Sequence, residues 1–181
     1  MKRTIYILTI FTLLNLLGCD ENAVNSIPKG IITIKLHSNK GSFNEISRFN
    51  LTIHSIKIVR DDNAYSDIFD NRNAIRDNPD TYNICSDSIF IIGDMYLPCN
   101  NYLSLLLYIS PEDSVIYDNK YVLIKKTDTF DAMVKLDINL SIHSDKTYNL
   151  IISTNIDSLL TPQKDYFVYR HYYSLENIYE K

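Results

Sequence analysis

Tryptophan is absent from this chain, and glycine occurs only 4 times, proline 5 times and cysteine 3 times. So little Gly and Pro excludes collagen-like and linker-like chains and leaves few places for a glycine-rich phosphate cradle. Excess positive charge is missing too, with 18 basic residues against 22 acidic ones and a net charge of -4. A chain with a pI near 5.5 lacks the clustered Lys and Arg that nucleic-acid binding requires, so nucleic acid is not an expected partner. Catalytic signatures are missing as well: the sequence has no G-x-S-x-G, H-E-x-x-H, Walker loop or dinucleotide fingerprint. No enzymatic activity, cofactor or metal site is expected. What remains is enough for a folded body. Of 181 residues, 45% are hydrophobic and 22% charged, which suits one domain with a buried core.

The N-terminus reads as an address. Met1-Lys2-Arg3 is a short basic start, followed by an apolar run from Ile5 to Leu17. Such a run is a secretory signal rather than a lasting membrane span. It ends in Leu16-Leu17-Gly18-Cys19, which resembles the bacterial lipobox. The resemblance implies that residues 1–18 are removed and that Cys19 becomes a lipidated first residue. Several acyl chains give stable anchoring, because each buried methylene adds about 0.8 kcal/mol and one chain alone is marginal. Residues 19–29 are polar without an apolar period and read as a tether. Asp20-Glu21 directly after the lipid site resembles the surface-export signal of Bacteroidota lipoproteins, whereas in enterobacteria Asp20 suggests inner-membrane retention. The expected location is the bacterial cell envelope, at the outer membrane or cell surface.

Cys85 and Cys99 then remain as an even pair in an oxidising compartment. A bridge between them closes a loop of about 15 residues and contributes roughly 3 kcal/mol in the chain-entropy model. The disulfide is the expectation, with two buried free thiols as the other reading.

From residue 30 onward the dominant period is two. Val134, Leu136, Ile138, Leu140 and Ile142 alternate with polar neighbours, as do Ile32, Ile34 and Leu36. Phe49, Leu51 and Ile53 hold one phase and Ile56 and Ile58 the other, so a β-bulge is expected at His54-Ser55. Leu103–Ile109 suits a central buried strand, Tyr148–Ile152 alternates, and Tyr166–Tyr173 reads as a late aromatic strand. Ser144-Asp145-Lys146 reads as a hairpin connection. Ile156–Leu160 is the one place for a short helical turn. The expected fold is all-β, an antiparallel β-sandwich of the immunoglobulin or transthyretin type over residues 30–181, with a polar insertion at about 61–83.

Gly30-Ile31-Ile32-Thr33-Ile34-Lys35-Leu36, Asn50–Ile58, Tyr96-Leu97-Pro98-Cys99-Asn100-Asn101-Tyr102 and Lys135–Asn139 follow one another in an order that carries a resemblance. It is similar to the bacterial lipoprotein domains of the "domain of unknown function" series number 4382, over about residues 30–160. The likeness implies a β-sandwich on a lipid tether and no established activity. Two turns depart from that pattern, at His37-Ser38-Asn39 and at Asn100.

Three groups are candidates for chemistry. His37, His54, His143 and His171 are scattered singly and read as surface or strand-end residues. Asp61, Asp62, Asp67, Asp70, Asp77 and Asp80 supply calcium-type oxygen ligands, but without the EF-hand spacing or its Gly they read as a solvated insertion. Phe167, Tyr169, His171 and Tyr173 share one strand face. They read as a cross-strand packing ladder, or, through Phe167, Tyr169 and Tyr173, as a ligand-facing row for glycans. The expected function is a non-enzymatic binding or structural accessory module on a lipid anchor. The alternative is a surface lipoprotein that binds glycan or another extracellular polymer, with an envelope protein as a further kind of partner.

Overall fold

The computed structural model describes residues 27–70, 80–127 and 132–181. The signal segment, Cys19 and most of the tether lie outside these residues, as does Asp77. Nearly everything described is strand. In chain order come β1 (Lys29–Asn39), β2 (Ile46–Arg48), β3 (Asn50–Arg60), β4 (Tyr65–Asp70), β5 (Asp80–Asn83), β6 (Ser88–Pro98) and β7 (Asn101–Pro111). There follow β8 (Ser114–Tyr117), β9 (Lys120–Lys126), β10 (Met133–Ser141), β11 (Thr147–Asn155), a one-turn helix α1 (Ile156–Leu159), β12 (Leu160–Pro162), β13 (Tyr166–Tyr169) and β14 (Ser174–Glu180).

The strands form three sheets. One has the order β14-β11-β1-β6, and a second runs β10-β7-β3-β4 with β5 also paired to β3. Alternation decides which faces meet. Ile32, Ile34 and Leu36 of β1 and Leu150 and Ile152 of β11 are fully buried, as are Leu51, Ile53, Ile56 and Ile58 of β3 and Leu105 and Leu107 of β7. All belong to one cluster, so the two sheets face each other across a shared core. The third sheet, β12-β13-β9-β8-β2, adds Ile46, Val115, Ile124, Leu160, Phe167 and Tyr169 to that cluster. Its outer face carries Tyr121 and Leu123, exposed at 76% and 62%.

The all-β sandwich expected from the period of two is present, and the expected bulge falls between Ile53 and Ser55 in the β3–β7 ladder. Most pairings are antiparallel, but β1 runs parallel to β11 and β13 parallel to β9. A two-residue period is the same for both orientations, so the sequence held no signal for this. The Ser144-Asp145-Lys146 connection is not a hairpin. β10 and β11 lie in different sheets, and residues 142–146 carry the chain from one to the other. The polar insertion contributes β4 and β5, both antiparallel to β3. A true hairpin joins β8 to β9 through Asp118 and Asn119, whose φ angles of 46° and 59° suit a tight two-residue turn.

Candidate functional site

The aromatic stripe turns inward. Phe167 and Tyr169 are exposed at only 4% and 0%, which removes them as ligand-facing residues. Phe167 packs edge-on between Phe43 and Tyr117, with ring centroids at 6.0 and 5.5 Å. Tyr169 meets Phe49 at 6.3 Å, and its hydroxyl lies 2.8 Å from that of half-buried Tyr173. Burial pushes both phenols above their ordinary range. The strand itself ends at Tyr169 and lies between β12 and β9, so it offers no open edge to a partner strand. These aromatics hold the third sheet onto the core.

The expected Cys85–Cys99 bridge is also overturned. Both cysteines are free, and the extended strand β6 lies between them. Eleven extended residues, paired to β1 on both sides of one register shift, span about 33 Å, whereas bridged Cα atoms lie about 4.4–6.8 Å apart. Burial raises the Cys85 thiol from 9.0 to about 11. A thiol so shifted is a poor nucleophile at neutral pH.

Two acidic residues of the insertion have separate basic partners. Asp62 pairs with Arg60, which holds its carboxyl below the usual range, and Asp67 lies 3.2 Å from Lys57. Among the described residues, no group of three or more His, Cys, Asp or Glu side chains is placed to hold a metal ion. His54 is apart from the other histidines, with Nε2 at 2.7 Å from Ser110 Oγ.

His37 belongs to a different arrangement. On β1 it points outward between buried Leu36 and Ser38, and the parallel register sets it beside Ser153, with Asn39 beside Asn155. The strand that closes this side is β14, whose Glu176 carboxylate lies 2.8 Å from His37 Nδ1. Together with Thr154 and Tyr172 these residues line an open cleft of about 280 Å³, on the outer face of the β14-β11-β1-β6 sheet. Its side chains are held in place. Asn39 accepts the Gly41 N–H at 2.9 Å, and Asn155, the cap of α1, accepts the Asp157 N–H at 2.9 Å. Gly41 has φ of 65°, and a Cβ there would lie 2.5 Å from Asn155 Oδ1, so only glycine lets this turn close. Buried Thr154 donates to the Tyr172 carbonyl at 2.9 Å, which fixes the backbone of a tyrosine that is itself 57% exposed.

The cleft presents hydroxyl, amide and imidazole groups around one open aromatic ring. Ser153 Oγ lies 3.0 Å from Ser174 Oγ, so this hydroxyl is engaged with another hydroxyl rather than with His37. The arrangement presents donors and acceptors to the cleft. No sequence spacing announced it, because its residues come from three segments that only the fold brings together.

No family model matches the chain, so the likeness to the 4382 series rests on the residues quoted for it. No curated protein matches it either. Among solved structures, that of a "putative cell adhesion protein" from Parabacteroides distasonis is similar over 84% of this chain, at 14% identity and a TM-score of 0.33. This chain spans half the length of that protein, 50%. Likeness at that level leaves the functional reading to the chain's own residues.

Proposed function

We propose that this chain is a lipid-anchored module of the bacterial cell envelope, serving as a binding or structural accessory without enzymatic activity. The observation that carries the reading is Leu16-Leu17-Gly18-Cys19, set just ahead of a sandwich whose first strand begins at Lys29. Ten residues of tether reach at most about 35 Å, which keeps the domain close to the membrane that holds Cys19. No helix among the described residues is long and apolar enough to cross a membrane, so attachment through Cys19 supplies the anchor in this reading.

Cys19→Ala tests it. The wild-type chain is expected to incorporate radioactive palmitate and to be cut ahead of Cys19. The variant is expected to stay uncut and unlabelled. Equal label in both proteins would remove the anchor and the reading with it.

A second reading, that the module binds an extracellular polymer, is favoured by the cleft. Asn39 and Asn155 sit at the end of the long strand pair opposite to Lys29, where the tether joins. The cleft therefore opens about 33 Å away from the point of attachment.

A further inference from the structure

The cleft of His37, Asn39, Ser153, Thr154, Asn155, Tyr172 and Glu176 has a lining that restricts what it can hold. No Lys or Arg lines it, which disfavours phosphate and carboxylate ligands. Its one carboxylate already faces His37 at 2.8 Å, which disfavours a bound cation. The strands beneath it, β1 and β11, are interior to their sheet, so their own backbones offer a peptide no edge to extend. The hollow is open and polar, unlike the enclosed apolar pockets that take lipids or drug-sized molecules.

What the lining offers is a match for hydroxyl groups, which both donate and accept. The Asn39 and Asn155 amides have their oxygens committed to Gly41 and Asp157. Each amide therefore keeps its NH₂ end for an incoming acceptor. Glu176 accepts, the Ser153–Ser174 hydroxyl pair serves in either sense, and the imidazole, whose Nδ1 donates to Glu176, keeps Nε2 as an acceptor. Tyr172 adds an exposed aromatic face with a fixed backbone, the kind of surface on which the C–H face of a sugar ring stacks. These groups are placed before any ligand arrives, so little ordering opposes binding.

We infer that this cleft binds a neutral saccharide, with Tyr172 as the stacking platform and Asn39, Asn155 and Glu176 as hydroxyl partners. The inference names the polymer of the second reading above as a glycan and assigns it to this site. It does not depend on the lipid anchor.

The test uses the full-length chain, purified from whole-cell extract in a detergent without a sugar head group. Isothermal titration with cellohexaose, xylohexaose, maltohexaose and mannohexaose gives the affinities. Binding of at least one oligosaccharide is expected, weakened about tenfold or more by Tyr172→Ala and by Asn39→Ala. The thermal midpoint of Tyr172→Ala should match wild type, since the ring is exposed. Tyr121→Ala, on the outer face of the third sheet, should bind as wild type does. Failure to bind any of the four sugars overturns the inference. So does binding that survives Tyr172→Ala, or that is lost in Tyr121→Ala instead. A chain that binds sugar but takes up no palmitate sinks the anchor and keeps this site, whereas a labelled chain that binds none does the reverse.

Discussion

A single thiol shows how burial becomes a pH effect. Cys85 packs against the core at the start of the segment leading into β6, and burial lifts its titration from 9.0 to about 11. Because the folded value lies above the unfolded one, folding holds the proton more tightly. The stability tied to it is complete below pH 9 and is lost as pH rises toward 11. The phenols of Tyr102, Tyr169 and Tyr173 are raised for the same reason and act in the same direction above pH 10. The thermal midpoint is therefore expected to fall steadily from pH 9 to pH 11, as followed by circular dichroism. Cys85→Ala should flatten the first part of that fall and leave the later, tyrosine-driven part. A midpoint that is level across this range in wild type would contradict the burial of these groups. The same residues explain where sequence reading went astray. The period of two placed Phe167 and Tyr169 on one strand face, while Tyr173 lies beyond the strand's end, and it carries no information about whether that face looks at solvent or at Phe43, Phe49 and Tyr117.

At the scale of elements, β1 is the keystone of its sheet, paired to β6 on one side and β11 on the other. Its entry is tight. A Cβ on Gly30 would lie 2.7 Å from the His143 carbonyl oxygen and 2.7 Å from Ile142 Cγ2. Gly30→Ala must push the 142–146 connection away from β1. It is expected to cost about 1–3 kcal/mol, read as a lower urea midpoint at unchanged slope. An unaltered midpoint would mean the connection yields freely. Strands with one wet and one dry face were the legible ones: β1, β10, β11 and the bulged β3. β6 was not, because Ile89-Phe90-Ile91-Ile92 reads as continuous apolar chain. The register shift opposite Ile34/Lys35 then changes phase, burying Ile92 and leaving Ile89 and Ile91 exposed at 58% and 62%. The β8–β9 hairpin was missed for a different reason. Asp118-Asn119 is a genuine turn signal, but in a chain rich in Asn it does not stand out from its surroundings. The cleft was illegible in principle, since His37, Asn155 and Glu176 become neighbours only through the parallel register of β1 with β11 and the addition of β14.

Over the whole molecule, stability rests on one core shared by three sheets, with no covalent bridge between Cys85 and Cys99. Strong reductant should therefore leave the thermal midpoint and the mobility on a non-reducing gel unchanged. A shift in either would reveal a linkage that the length of β6 forbids. The parallel ladder of β1 with β11 has a further effect, on timing. Ile31 is paired with Thr147 and Asn39 with Asn155, so the first strand finds its second neighbour only when most of the chain is available. Contacts this distant in sequence form late, after the loop between them has closed. For a polypeptide threaded N-terminus first through an export channel, the sandwich cannot close while its last strands remain on the near side. Under the export proposed above, the β1–β11 connectivity would delay closure of the sandwich until the C-terminal strands had crossed.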